Sequence, residues 1–250
     1  MNTNNHNSYI LLFFFLIFLI ISCCPERNLI REGFTQLRSR DYDSIKREFI
    51  NESFMPEMNI WVKGNLVIQE IKVINTTDSD GVITRETPVA YYLFMDRKSK
   101  TFYNYSSFSD TARILDKYTQ ADTAEIRGLG GWSFYKKRDL KITDSLQPLS
   151  DTTINNIIHK RFKFKLKTSN NESLVIIYLR CDKKGTVLLF DKTLSEKLGC
   201  PIVRLDYLPT PQNPSPVSSE IVFLRDSLSK EELKVFDAWE KNIKKYPVDK

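Results

Sequence analysis

The chain has few of the residues on which common catalytic sites depend. It contains 2 histidines among 250 residues, and one of them, His6, lies in the polar N-terminal stretch at residues 1–9. A Ser-His-Asp or Cys-His arrangement would therefore have to use His159, yet no Gly-x-Ser-x-Gly sequence or other nucleophile signature accompanies it. The sequence does not favour such an enzyme, and we expect His159 to be an ordinary strand residue.

Signatures for metals, phosphates and nucleic acids are also missing. The 4 cysteines include no Cys-x-x-Cys pair, so a zinc site is not indicated. The glycine cluster at residues 128–131 lacks the Lys-Ser/Thr pair of a P-loop and is better explained as a hairpin or hinge. No nucleic-acid-binding motif is recognisable. The sequence therefore predicts no cofactor, no metal and no nucleic-acid partner.

Glycine is scarce, with 8 residues, whereas aromatic residues make up 12% of the chain. This composition argues against low-complexity disorder and for ordered strands with aromatic packing. The chain from residue 23 onward is long enough for one β-rich domain or two small ones, and we expect one.

One hydrophobic run is present, and it is short for a membrane span. Residues 10–21 are all apolar and would cover about 18 Å as a helix, against a hydrocarbon core of about 30 Å. This length is typical of the apolar part of a secretion signal. The run ends in Ile20, Ile21, Ser22 and Cys23, which resembles the lipobox of bacterial envelope lipoproteins, here of an uncharacterised β-rich type.

The resemblance implies that a signal peptide (1–22) is removed and that Cys23 becomes the acylated first residue. A lipidated tether (23–32) and a single domain (33–246) would follow. Cys24 is a weaker candidate, because a cysteine and not a small residue would precede it. Two or three acyl chains anchor stably where one binds only marginally, so the domain itself need not contact lipid. Since the residue after Cys23 is not Asp, the resemblance implies the outer membrane.

Strand patterns dominate the chain from residue 60 onward. Apolar residues repeat at helical spacing within residues 28–53, which predicts one or two short helices there. A change of apolar phase near Gln69 and Glu70 predicts a bulge or bend in the strand region that begins at residue 60, before a turn at residues 75–81. Residues 111–118 are interpreted as a short helix.

The C-terminal helix is the best specified element. Ser229 and Glu232 match a capping box, and Leu228 and Leu233 match a hydrophobic staple, so a helix is predicted at about 229–245. Adjacent strands without a βαβ rhythm predict a mainly β (α+β) fold. We expect an antiparallel curved sheet or half-barrel with N-terminal and C-terminal helices. The alternative is a two-sheet β-sandwich.

One strand, at residues 157–167, combines an apolar side with a basic side. Its cations, a candidate anionic-ligand face, are Arg161, Lys163, Lys165 and Lys167. The competing explanation is that charge protects an exposed sheet edge. Because residues 1–22 contain no Lys or Arg, the net charge of +6 belongs to the rest of the chain. That charge favours anionic surfaces such as phospholipid headgroups, lipopolysaccharide or acidic glycan.

Two further features agree with an oxidising envelope compartment. Cys181 and Cys200 are a candidate disulfide, and two buried thiols are the alternative. Several tripeptides resemble the Asp-Ser/Thr-apolar sites for O-glycosylation of bacterial envelope proteins, although turn chemistry explains them equally well. Their candidate acceptor residues are Ser44, Thr111, Thr123, Ser145, Thr152 and Ser227.

These observations lead to one expected function and one alternative. We expect a lipid-anchored cell-envelope protein, with the membrane as one partner and a lipid, a glycan or an envelope protein as its ligand. Its role would be non-enzymatic binding or scaffolding, and the aromatic residues within 91–108 suggest lipid or lipoprotein handling as a specific form. The alternative is an envelope hydrolase acting on glycan or peptide through two carboxylates, such as Asp41 with Asp43.

Overall fold

The chain forms one large antiparallel sheet, a separate two-stranded hairpin and a C-terminal helix. A computed structural model describes residues 32–50, 55–119, 145–167, 172–184, 186, 190–210 and 217–246. Within these ranges the large sheet has 12 strands and is not closed, which confirms a mainly β fold built on an antiparallel sheet. No helix in the same ranges is long and apolar enough to cross a membrane.

The strands, numbered along the chain, are β1 (Glu32–Asp43), β2 (Glu48–Ile50), β3 (Met58–Lys63), β4 (Leu66–Lys72), β5 (Asn75–Ser79), β6 (Val82–Glu86), β7 (Val89–Asp96), β8 (Thr101–Tyr105), β9 (Ile114–Thr119), β10 (Gln147–Ile154), β11 (Ile157–Lys167), β12 (Glu172–Leu179), β13 (Ile202–Leu208) and β14 (Val217–Arg225). A 3-10 turn covers Cys181–Lys183, and helices α1 and α2 cover Lys192–Leu198 and Lys230–Lys245. The large sheet has the order β10-β11-β12-β13-β14-β1-β3-β4-β7-β8-β9, with β2 paired to β1.

The short helices predicted near the N-terminus are wrong for the described residues, which form β1 and β2. Phe34 and Leu37 suggested a helix because they are three residues apart. In the structure Phe34 packs with Trp61 on one face of the sheet, and Leu37 is buried in the cluster on the other face. A strand that is buried on both faces does not show a clean period of two, so its apolar spacing is ambiguous.

Three local predictions also need correction. The strand region that begins at residue 60 is two strands, β3 and β4, separated by a turn in which Gly64 has a φ of +62°. Close to the bulge or bend predicted at Gln69 and Glu70, the pairing of β4 with β7 shifts register between Ile71 and Lys72. The expected turn at residues 75–81 is strand β5 followed by a tight turn, in which Asp80 and Gly81 both have positive φ. Residues 114–119 form strand β9 and not a helix.

One face of the large sheet is apolar from β11 across to β8, and we call it the apolar face. Ile60 and Ile177, which belong to its two adjoining clusters, are both fully buried. Its principal buried members are Leu37, Ile60, Val62, Val67, Leu93, Met95, Phe102, Phe164, Val175, Ile177, Val203, Leu205 and Ile221. This face supplies the larger part of the core.

Helix α2 covers the opposite face over strands β3, β4, β7 and β8. Phe236 and Trp239 are fully buried there, and the Trp239 ring stacks on Tyr105 with 3.8 Å between ring centroids. The predicted capping box is confirmed, since Ser229 Oγ accepts from Glu232 N at 3.2 Å and Glu232 Oε2 accepts from Ser229 N at 2.6 Å. The local sequence therefore fixes where the helix begins.

The hairpin formed by β5 and β6 is a small sheet of its own between β4 and β7. All of its residues are exposed, including Val82 at 62% and Ile83 at 70%. Its base is closed by a hydrogen bond from Val73 N to Pro88 O at 3.1 Å. Isolated two-stranded hairpins are only marginally stable, so this hairpin adds little to the stability of the domain.

Gly33→Ala should lower the free energy of unfolding by about 1–3 kcal/mol. A Cβ atom at Gly33 would lie 2.8 Å from the carbonyl oxygen of Arg225 on the adjacent strand β14. The matched control is Gly81→Ala, which strains a φ of +79° in the exposed hairpin and should leave the main unfolding transition unchanged. Chemical denaturation followed by circular dichroism measures the free energy of unfolding of both variants. Equal losses in the two variants would show that the close approach of Gly33 to Arg225 is not a special constraint.

Candidate functional site

Strand β11, which carries the cations identified in the sequence, lies inside the sheet. It pairs with β10 on one side and with β12 on the other, so among the described strands β10 is at the edge. Phe164 and Leu166 are buried in the apolar face, whereas Arg161 and Lys163 are half-buried and Lys165 is exposed on the opposite face. Protection of a sheet edge therefore does not explain these cations.

These cations belong to a wider polar surface on strands β11 to β14 and β1. Directly opposite residues of antiparallel strands share a face, and the register defines three rows. The first row contains Arg161, Tyr178, Arg204, Glu220 and Arg38. The second row contains Lys163, Ile176, Asp206, Ser218 and Arg40. The third row contains Lys165, Leu174 and Leu208. We call this surface the basic face.

A buried ion pair occupies the centre of the basic face. Arg204 donates from Nε to Asp206 Oδ1 at 2.8 Å and from Nη2 to Oδ2 at 3.0 Å, and Ser218 Oγ donates to Oδ1 at 2.5 Å. Burial by itself would lower the pKa of Arg204, but the paired Asp206 raises it above its usual value. Burial and the nearby Asp206 also raise the pKa of Tyr178 to about 12. Arg204 therefore keeps its positive charge beside Asp206.

The arginines of strand β1 are also paired with carboxylates. Arg40 lies 3.1 Å from Glu220, and Arg38 lies 3.0 Å from Glu57 while donating to Gln36 Oε1 at 2.7 Å. These contacts neutralise the side of the basic face that is near β1. The cationic excess of the face therefore falls on strand β11.

Arg161 and Lys163 carry that excess. Arg161 Nε donates to the carbonyl oxygen of Ser150 at 2.8 Å, a neutral acceptor that leaves the guanidinium charge uncompensated. In the described part of the chain, no carboxylate forms an ion pair with Arg161 or Lys163. These two charges would attract a negatively charged group that approaches β11.

Aliphatic side chains adjoin the cations of β11 on the same face. Ile176 is opposite Lys163, and Leu174 is opposite Lys165 and beside Leu208 of β13. Ile176, Leu174 and Leu208 are all half-buried. The surface therefore combines positive charge with accessible apolar area, a combination that suits an amphipathic partner.

His159 lies on the same side of β11 but is nearly inaccessible, at 4% exposure. Its Nδ1 is 2.9 Å from the carbonyl oxygen of Ile157, and its ring packs edge-on against Tyr178. Burial, together with the positive charges of Arg180 and Arg204, lowers the pKa of His159. These contacts agree with the expectation of an ordinary strand residue.

The two domain cysteines form a disulfide in the structure. Cys181 of the 3-10 turn is bonded to Cys200, with 4.7 Å between their Cα atoms. The bond joins the chain after β12 to the residues before β13. The sequence left this pairing open against two free thiols, and the structure adopts the disulfide.

The candidate acceptor hydroxyls lie at different places on the domain. Ser44, Thr111, Ser145 and Ser227 are exposed, and Thr152 is half-buried in β10. Turn chemistry accounts for the first tripeptide, because Asp43 Oδ1 accepts from Ile45 N at 2.8 Å and from Lys46 N at 3.0 Å. The remaining candidate residues of the sequence analysis, Cys23, Thr123 and the side chain of Lys167, lie outside the described residues.

The aromatic residues within 91–108 do not share one groove. Tyr91 and Phe102 pack on the apolar face, whereas Tyr92, Phe94 and Tyr105 pack on the face that helix α2 covers. Among the described residues, no three His, Cys, Asp or Glu side chains converge as a metal site would require. The basic face is therefore the best candidate site in the described part of the chain.

Sequence reasoning identified β11 but missed the residues beside it. Val203 and Leu205 alternate with Arg204 and Asp206, which is a local signal of a strand with one polar face. That signal does not say which strand lies next to β11. The central ion pair could therefore have been suspected, but not its place in the basic face.

Arg204→Met should lower the free energy of unfolding by about 3–5 kcal/mol, because it leaves Asp206 buried without its counter-charge. The double variant Arg204→Met with Asp206→Leu should recover most of that loss, since both charges are then removed. Urea denaturation of the wild type, both single variants and the double variant measures the coupling. A double variant whose loss equals the sum of the two single losses would show that the pair is not coupled.

The stability of the domain should fall as the pH drops below about 6.5, because of His159. Its pKa is lowered in the folded state, so below that pH the unfolded chain binds a proton that the folded chain does not. The free energy of unfolding should therefore decrease between about pH 7 and about pH 5.5. In the His159→Gln variant the free energy of unfolding, measured by urea denaturation, should depend less steeply on pH over that window. An unchanged slope would show that His159 is not the group responsible.

Neither protein-family models nor curated proteins match this chain significantly. The function therefore has to be argued from the geometry of the domain. Three features carry that argument: the ion pairs of the basic face, the uncompensated charges of Arg161 and Lys163, and the aliphatic residues beside them.

Proposed function

We propose that this protein is a lipid-anchored component of the bacterial cell envelope, most simply of the outer membrane, with a non-enzymatic binding role. The basic face is the surface that binds, and its ligand is negatively charged. The observation that carries the proposal is the position of Arg161 and Lys163, which lie on an interior strand without a carboxylate partner in the described part of the chain. Positive charge in that position favours association with anions.

The anchor in this proposal comes from the sequence at Ile20, Ile21, Ser22 and Cys23. Residues 24–31 would link the acylated Cys23 to the start of β1 at Glu32. An extended chain of that length spans at most about 30 Å. A domain tethered in this way stays close to the membrane surface.

The hydrolase alternative receives less support from the described residues. A hydrolytic carboxylate pair needs two carboxyl groups that face a substrate. On the basic face, Asp206 is held by Arg204 and Ser218, and Glu220 is held by Arg40. These contacts are typical of structural ion pairs.

Lipid handling, the more specific form of the proposal, would need an apolar surface that a ligand can enter. The principal residues of the apolar face are instead packed against one another, as the full burial of Ile60 and Ile177 illustrates. The basic face accordingly supports binding at a surface better than enclosure of an acyl chain.

Cys23→Ala should abolish acylation and leave the protein in the soluble fraction or unprocessed, since the thiol is the site of lipid attachment in this proposal. Cys24→Ala is the matched control and should stay processed and membrane-bound. Fractionation and intact-mass measurement of the native protein test both, with loss of residues 1–22 and acyl mass on Cys23 as the expected result. A membrane-bound Cys23→Ala protein with the wild-type mass change would refute the anchor.

A further inference from the structure

Building on the lipid anchor of the proposed function, we infer that the basic face binds the anionic phospholipid surface of the membrane that holds the anchor. The cations of β11 and the half-buried Leu174, Ile176 and Leu208 beside them would then lie against the headgroups. The domain is in this view not only tethered at one point but also oriented by a second contact. Four properties of the structure support this arrangement.

The first property is the chemistry of the surface. Lys163 is beside Ile176, and Lys165 is beside Leu174, which in turn pairs with Leu208. Lysine side chains can extend from an apolar contact to reach phosphate groups, while half-buried aliphatic groups enter the boundary below them. Cations on β11 with aliphatic residues beside them on β12 and β13 therefore match the layered chemistry of a bilayer surface.

The second property is that carboxylates of the described residues do not cancel the charges of Arg161 and Lys163. Arg38, Arg40 and Arg204 are neutralised by carboxylates elsewhere on the face. Arg161 contacts a backbone carbonyl, and Lys163 has no ion-pair partner in the described ranges. The positive potential is thus concentrated on one side of the face, next to the aliphatic residues.

The third property is rigidity. Strand β11 is hydrogen-bonded on both sides, and Phe164 fixes it in the core at 2% exposure. The cations are therefore presented at fixed spacing on a sheet and not on a mobile loop. A preformed surface loses less conformational entropy when it binds.

The fourth property is the reach of the tether. Strand β1, where the tether enters the domain, is four strand positions from β11 in the sheet. At about 4.8 Å per position this is about 19 Å across the sheet. Arg38, which lies in the row of Arg161, is a further six residues along β1 from Glu32, or about 20 Å, so the direct distance from Glu32 to Arg161 is about 28 Å. The tether at residues 24–31 spans up to about 30 Å, so the anchor and the basic face can meet the same membrane.

The test uses the lipidated full chain, reconstituted in vesicles of phosphatidylcholine alone or of phosphatidylcholine with phosphatidylglycerol. Lysine acylation by an amine-reactive reagent is measured residue by residue with mass spectrometry. Lys163 and Lys165 should react about fivefold more slowly in the anionic vesicles, a factor that corresponds to about 1 kcal/mol per lysine at a charged surface. Lys160, exposed on the other face of β11, and Lys98, exposed in the turn between β7 and β8, should react equally in both. High salt should remove the difference.

A pair of variants makes the test specific. Arg161→Gln with Lys163→Gln removes the uncompensated charges and should abolish the protection of Lys165. The matched control, Lys98→Gln with Lys160→Gln, removes the same number of charges away from the basic face and should keep that protection. Circular dichroism checks that both variants are folded. Equal protection of Lys165 in the two variants would overturn the proposal.

The remaining outcomes separate the membrane from other anions. Equal labelling of Lys163 in the two vesicle types refutes the membrane contact. Protection by a soluble acidic polysaccharide but not by anionic vesicles would also refute it, in favour of a glycan. The intact mass of the purified protein reports independently on acylation of Cys23. Failure of the anchor can therefore be distinguished from failure of the membrane contact.

Discussion

The contact between helix α2 and the sheet depends on one carboxylate, that of Glu232. It closes the capping box with Ser229 and accepts hydrogen bonds from Trp61 of β3 at 2.7 Å and from Arg225 of β14 at 2.5 Å. Burial by itself would raise the pKa of Glu232, but the hydrogen bonds from Arg225, Ser229 and Trp61 lower it. The interaction is therefore complete above the ordinary value of 4.5 and is lost as the pH falls through the lowered pKa.

The position of α2 determines which part of that sheet face is covered by apolar packing and which part is left to polar side chains. The helix covers β3, β4, β7 and β8, so the same face of β11 to β14 and β1 has to satisfy its own polar groups. The pairs Arg204–Asp206 and Arg40–Glu220 do this with charged side chains. A buried ion pair offsets its desolvation only when its hydrogen bonds are well made, and Ser218 adds the bond that Asp206 needs.

The C-terminal helix could be predicted from local sequence signals, whereas the first strand could not. Ser229 and Glu232 are three residues apart and act on the same helical turn, so the sequence contains the whole interaction. Strand β1 is different, because Phe34 and Leu37 are buried on opposite faces by partners far along the chain. A spacing of three residues then looks helical, although the backbone is extended. Burial on both faces, and not the intrinsic helix or strand propensity of its residues, therefore determines that β1 is a strand.

The basic face shows the same division between local and non-local information. Alternation in β11 revealed that Arg161 and Lys163 share one side of a strand, but it could not show which strands flank it. The position of β11 in the sheet changes the interpretation of its cations. Charge on an edge strand protects against edge-to-edge pairing with another sheet, whereas an interior strand needs no such protection. Pairing with β10 and β12 makes β11 an interior strand. Its uncompensated cations therefore point to a negatively charged partner, and the adjoining aliphatic residues point to a partner with an apolar layer.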